Sequence, residues 1–279
     1  MNGIIVIDKY GGPTSRSIVL EIKKILGVSK AGHLGTLDPL ATGVLPIFLD
    51  KATKLIDILS RSDKTYIAKM RIHKYVDTNE IKNVMKKFTG VIEQIPPVRS
   101  AVKREKRKRK IYEIKYLSRQ GNIIEFSVKC EAGTYIRKLI HDMGLEIGGA
   151  HMVWLRRVQA GPFKIEDAIS IKKLKEFKKE IGMAGLIERN IIKSVNVLKN
   201  FCKKVYIKKT AEFSITHGSP IFLQGVLKSD KLKKGELFLI LSHDGEILGL
   251  GEFVGKKIFA KIKSILELKN KVSDCETKL

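Results

Sequence analysis

Gly32–Gly43 reads GHLGTLDPLATG, twelve residues that hold glycines at 32, 35 and 43, one histidine, one proline and a single aspartate. No lysine–serine pair follows the glycines, so the stretch is not a phosphate-cradling loop of the nucleotide-binding kind. Pro39 biases Asp38 away from helical geometry, and the neighbouring glycines allow another backbone to approach closely. A stiff turn of this sort can present a carboxylate as a nucleophile. The same residues are equally those of an aspartate that only caps the turn into Pro39, and spacing alone does not separate the two readings.

Outward from this loop, residues 3–8 have the apolar run of a short buried strand. Residues 15–26 carry Ile18, Val19, Ile22, Ile25 and Leu26 at helical spacing, with Gly27 as the stop. Downstream, residues 64–72 look strand-like, residues 78–88 helical with Gly90 closing the helix, and residues 122–130 alternate as a half-buried strand. Gly133 and Thr134 open a further helix whose apolar stripe is Ile136, Leu139, Ile140, Met143 and Ile147, which leaves Arg137 and His141 along one edge. After Gly161-Pro162 the chain is lysine-rich and helical to about residue 200. Beyond that, residues 203–208, 235–242, 246–254 and 256–263 read as short strands, with Asp244-Gly245 a hairpin turn.

Lysine and arginine total 54 against 29 acidic residues, a formal charge of +25 over 279 residues. Such an imbalance points to a polyanionic partner, nucleic acid first. Seven of the cations fall in KREKRKRK, residues 103–110, between Pro96-Pro97 and the strand-like IYEIKYL, where an ordered element would hold them as a phosphate-tracking arm. A plain solvated strand or loop is the other reading. No apolar run approaches the roughly 20 residues of a spanning helix, and the N-terminus is too soon interrupted by Asp8 and Lys9 for a signal peptide. A cytoplasmic protein without membrane association is therefore expected. Cys130, Cys202 and Cys275 lie far apart and offer no metal cage; no metal or cofactor is expected.

Five stretches, KYGGPTSRSI, GHLGTLDPLATGVLPI, KTYIAKM, GTYIRKLI and AHMVWLRRVQAGPF, resemble in order and spacing the TruB-type pseudouridine synthases. PPVRSAVKREKRKRKIYEI and CEAGTYIRKL look like the dyskerin-type branch, the catalytic subunits of H/ACA guide-RNA particles, and VYIKKTAEFSITHGSPIFLQGV looks like the start of their C-terminal PUA domain. The resemblance implies an α+β chain. Residues 1–198 would form a catalytic domain with a mixed, largely antiparallel sheet, residues 199–272 a small β-barrel-like PUA domain, and residues 273–279 a disordered tail.

It also implies an isomerase that turns uridine in RNA into pseudouridine without cofactor or metal. Asp38 would be the catalytic aspartate, Tyr66 the tyrosine that stacks on the flipped base and serves proton transfer, and Arg137 the cation that pairs with the aspartate. His33, Tyr135, Leu155 and Lys9 fall in the substrate-binding set, with His33 helping to evert the nucleotide and Lys9 supporting the loop rather than the chemistry. The implied partners are guide RNA, ribosomal RNA and small H/ACA particle proteins. Action on the T-loop uridine of tRNA without a guide is the alternative, and a non-catalytic RNA-binding scaffold is a third reading. The sequence departs from the family at Tyr10, where proline usually follows the lysine, and at Arg16, where the dyskerin branch often has histidine.

Overall fold

The computed structural model describes residues 2–95, 105–193, 197–198, 202–255 and 258–265. The chain divides into two compact units, Met1–Ile192 and Lys193–Leu279, a few residues ahead of the expected boundary at 198. The expected tail, residues 273–279, lies outside the described residues.

The first unit is built on one sheet of nine strands: β1 (Gly3–Lys9), β2 (Ala31–His33), β3 (Thr42–Leu49), β4 (Lys64–Ile72), β5 (Gly90–Gln94), β6 (Arg107–Gln120), β7 (Ile123–Cys130), β8 (Ala150–Ala160) and β9 (Phe163–Lys164). Their order is β1-β3-β8-β4-β7-β6-β5, with β2 against β3 and β9 against β8. All pairings are antiparallel except β3 with β8, which runs parallel over Thr42↔Arg156 and Gly43↔Arg157. That short parallel junction sits where the loop from β2 returns into β3.

Helices α1 (Ser15–Leu26), α2 (Ile56–Ser60), α3 (Thr78–Lys87), α4 (Ile136–Glu146) and α5 (Ile171–Asn190) complete the unit. In α1 the Thr14 side chain accepts the Ser17 amide at the N-terminus, and Gly27, at φ 67°, ends the helix in the left-handed conformation. Its five apolar residues of helical spacing are all buried, which is why the helix lies along the sheet. The helix expected over residues 78–88 stops at Lys87 with Phe88 as its cap; Gly90, at φ 116°, opens β5 instead of closing the helix. In the lysine-rich stretch, helix α5 runs over Ile171–Asn190 and bends at Gly182. Of the basic run, residues 103–104 are outside the described set, and Arg107–Lys110 begin β6, a strand paired with β5 and β7.

The second unit holds a six-stranded sheet made of β10 (Lys204–Ile207), β11 (Ile221–Phe222), β12 (Val226–Ser229), β13 (Leu237–Leu241), β14 (Ile247–Phe253) and β15 (Ile258–Ile265). Its core gathers Val205, Ile207, Ile215, Ile221, Phe238, Ile240, Phe259 and Ala260. The Asp244-Gly245 turn joins β13 to β14 as expected, with Gly245 at φ 90°. A helix, α6 (Lys209–Thr216), stands between the expected strands 203–208 and 235–242, in a segment where the sequence pattern predicts no element. Among the described residues, no helix is long and apolar enough to cross a membrane.

Candidate active site

The loop from β2 to β3 is held from below by two buried side chains. The Ser15 hydroxyl donates to the Leu37 carbonyl (3.0 Å) and accepts the Leu37 amide (2.9 Å). Lys9 is fully buried, and its ammonium donates to the carbonyls of Pro39 (2.7 Å), Ala41 (2.8 Å), Tyr10 (3.0 Å) and Asp38 (3.4 Å). Burial lowers the Lys9 pKa, while the charge of Asp38 draws it back up. Lys9 thus braces the turn and offers no surface to a substrate. With its backbone tied down in this way, the Asp38 side chain is 60% exposed, and Arg137 at the start of α4 brings Nη2 to 3.3 Å from Oδ2.

Behind the loop lies Arg157, a residue the sequence reading passed over. Alternation along β8 sends Arg156 to one face, where it pairs with Asp8 (2.8 Å), and Arg157 into the interior, where it is 1% exposed. Its guanidinium donates to the carbonyls of Val44 (2.8 Å), Gly35 (2.8 Å) and Leu34 (3.4 Å), clamping both arms of the loop. Its charge also acts on the Tyr66 hydroxyl. Burial pushes the Tyr66 phenol up, against the lowering pull of Arg157, so the ring stays neutral at pH 7. Arg157 therefore acts on both the loop that carries Asp38 and the tyrosine of β4.

His33 ends β2 with Nε2 3.2 Å from the Thr36 hydroxyl, and burial followed by the charge of Arg157 lowers its pKa, which favours the neutral imidazole. Tyr135 is half-buried at the head of α4. Leu155 packs within the core at 8% exposure rather than standing out beside Asp38. The structure thus brings Asp38, Arg137, Tyr66 and His33 around one loop with Arg157, places Lys9 beneath it and leaves Leu155 in the core.

Lys64 adds a testable consequence. It is buried at the start of β4, donating to the carbonyls of Ser60 (2.7 Å) and Ser62 (2.5 Å), and burial together with the charge of Arg157 pushes its pKa down to about 8 from an ordinary 10.5. Between those values the unfolded chain binds more protons than the folded one, so this group makes stability rise with pH across that window. Lys64→Met should flatten the rise. Melting temperatures of both proteins from pH 8 to pH 10 check it, and an unchanged slope would refute the assignment.

Among the described residues one group could hold a metal ion: Glu212, His243 and Asp244 of the second unit, with ligand atoms within 4.8 Å of one another. Hydrogen bonds already engage them, His243 Nδ1 to Glu212 (2.7 Å) and Asp244 to the Ser242 hydroxyl.

Comparison with known proteins settles the family. Residues 23–136 match the family model described as TruB family pseudouridylate synthase (N terminal domain), and residues 137–193 match the tRNA pseudouridylate synthase B C-terminal domain. A protein of Methanopyrus kandleri described as "Probable tRNA pseudouridine synthase B" is 44% identical over 256 residues, 90% of this chain and 75% of the relative. The chain belongs to the TruB family of pseudouridine synthases. It is accordingly an RNA-modifying isomerase. A Thermococcus gammatolerans relative with the same description is 43% identical, across 90% of this chain and 76% of its own. Among solved structures, a Cbf5-Nop10-Gar1 complex contains a chain 41% identical to this one, with a TM-score of 0.86 over 94% of this chain and 84% of that one. An H/ACA RNP bound to a substrate RNA containing 2'-deoxyuridine gives 38% identity and a TM-score of 0.82, again over 94% and 84%. The likeness to the chain of the Cbf5-Nop10-Gar1 complex therefore reaches both units, whereas the TruB models end at residue 193.

Proposed function

We propose that this pseudouridine synthase uses Asp38 as its nucleophile and works chiefly as the guide-directed catalytic subunit of an H/ACA particle on ribosomal RNA. The observation that carries the chemical part is an exposed carboxylate on a braced turn, 3.3 Å from the Arg137 guanidinium, with the loop clamped from behind by Arg157. An everted uridine would enter beside Asp38. The carboxylate attacks a carbon of the nucleotide, C1′ of the ribose or C6 of the ring, and the bond from N1 to C1′ breaks. The detached uracil turns, C5 bonds to C1′, Asp38 is released, the C5 proton leaves to restore the ring and N1 takes up a proton in its place. Uridine and pseudouridine are isomers, so no co-reactant enters the balance.

In this reading Arg137 stabilises the carboxylate while it is charged. Tyr66, which stays neutral, stacks on the base and relays the C5 proton. His33 helps hold the nucleotide out of its stack, and Tyr135 borders the substrate. The second unit serves as a PUA domain that grips RNA, and the strand carrying Arg107–Lys110 follows phosphates. Small particle proteins of the Nop10 and Gar1 kind would complete the assembly in the cytoplasm.

The guide-directed reading is supported by the likeness, over 94% of this chain, to the structure of a Cbf5-Nop10-Gar1 complex. The description of the curated relatives as tRNA pseudouridine synthase B supports a second reading, direct action on tRNA. One experiment separates them. The purified chain is incubated with a tRNA transcript alone, and separately with guide RNA, target RNA and the small partner proteins, and pseudouridine is mapped in each. Product formed only in the assembled mixture is expected; full-rate modification of tRNA alone would reverse the order.

A further inference from the structure

Gln94 ends β5, the edge strand of the large sheet, and is only 2% exposed. Both functions of its carboxamide go to one residue 41 positions away: Oε1 accepts the Tyr135 amide (3.0 Å) and Nε2 donates to the Tyr135 carbonyl (3.1 Å). Tyr135 is the residue that caps α4, and its own side chain makes no capping bond there. Its carbonyl also accepts the Leu139 amide at 3.0 Å, the first hydrogen bond of the helix. A buried amide satisfied on both sides by a single backbone residue acts as a fixed clip, because any displacement of that residue breaks two bonds of a side chain that is itself buried.

The clip lies two residues before Arg137. The Arg137 and Asp38 side chains are each more than half exposed, so surrounding packing does not hold them together, and their geometry depends on what anchors each backbone. Lys9 and Ser15 anchor the Asp38 side. On the Arg137 side, the buried stripe Ile136, Leu139, Ile140 and Met143 fixes the face that α4 turns to the core. It leaves the position of the first turn along the axis to the helix cap, which is where Gln94 bonds.

We propose that Gln94 is a positioning residue for the isomerisation, setting the first turn of α4 so that the Arg137 guanidinium meets the Asp38 carboxylate. The inference rests on the assignment of Asp38 and Arg137 made above. An ångström of misplacement in a reacting pair is enough to cost about a hundredfold in rate. The role falls on the chemical step rather than on RNA affinity, since Gln94 is buried away from any phosphate.

Single-turnover pseudouridine formation tests this with the full chain, on the tRNA transcript or the guide-assembled target, whichever the wild type modifies. Gln94→Ala should slow the step by about ten- to a hundredfold and leave the Kd for RNA within about twofold. In an Arg137→Ala background, which is itself slow, the added Gln94→Ala should change the rate by less than about threefold, because coupled sites are not additive. If Gln94→Ala fails to fold, Gln94→Glu retains the shape and the acceptor but lacks the donor. It should give a partial loss that again vanishes in the Arg137→Ala background. The same fractional loss in both backgrounds, or a wild-type rate in the Gln94 variants, would overturn the proposal while leaving Asp38 in place. A wild-type chain that forms no pseudouridine on either RNA would overturn the parent assignment with it.

Discussion

Asp38→Asn is expected to abolish pseudouridine formation, lowering the single-turnover rate by at least about 10⁴-fold, the scale on which enzymes lose rate when a nucleophile is removed. An amide matches the carboxylate in shape, so the turn into Pro39 persists, but it carries no anionic oxygen to bond to a nucleotide carbon. Folding should be little affected. The pair with Arg137 has both members more than half exposed, and exposed pairs contribute about 0–1 kcal/mol. The braces beneath the loop, from Lys9, Ser15 and Arg157, reach backbone atoms that the substitution leaves in place. RNA affinity should also hold within about twofold, because a chain of formal charge +25 draws its binding mainly from phosphates. Rate measured beside filter-binding affinity therefore separates catalyst from scaffold. A variant that still made product at even a few per cent of the wild-type rate would end the nucleophile assignment, and one that lost RNA and activity together would place Asp38 in binding instead.

The helices and strands of the first unit were legible wherever one face repeats with a clear period. In α1, Ile18, Val19, Ile22, Ile25 and Leu26 lie between a threonine cap and a glycine stop, and in β7, Ile124, Phe126, Val128 and Cys130 alternate with polar residues. Helix α6 was hidden because it is eight residues long, buries only Ile215 fully, and follows directly on a β-type run. Gly90 misled because glycine also stops helices; its positive φ serves the entry to β5. In the site, turn chemistry singled out the Asp38 loop but left nucleophile and turn cap level, and Tyr66 and Arg137 came from family resemblance. Arg157 and Gln94 show what pattern alone misses. A charged or amide side chain reads as surface in a sequence, and its burial is tolerated only because folding brings carbonyls from distant positions to meet it. Arg157 finds Gly35 from 122 residues away, a match no local window contains.

Gly43→Ala should be the most damaging single-methyl change in the first unit. Gly43 lies at the parallel junction of β3 with β8, opposite Arg157, at φ 99°, and a Cβ there would sit 2.1 Å from the Arg157 carbonyl oxygen and 3.0 Å from its amide nitrogen. Two costs combine. The backbone conformation strains any residue with a side chain, by about 1–3 kcal/mol, and the clash is with backbone, which no rotamer change relieves. Gly90 isolates the first cost, since it has a similar φ of 116° but nothing within 4 Å of its would-be Cβ. Gly90→Ala should therefore lose only the strain, whereas Gly43→Ala should lose the strain and a further ~2 kcal/mol or more for parting the two strands, in the range of overpacked cores. Denaturant midpoints of the two variants at equal m-value give the difference. Activity should separate them further. Moving β8 at Arg157 displaces the guanidinium that clamps Gly35 and Val44, so the Gly43 variant should lose turnover even at temperatures where it remains folded, while the Gly90 variant keeps it. Equal destabilisation in the two proteins would mean that the strands yield at little cost. The parallel junction would then not be the rigid seat on which the Asp38 loop depends.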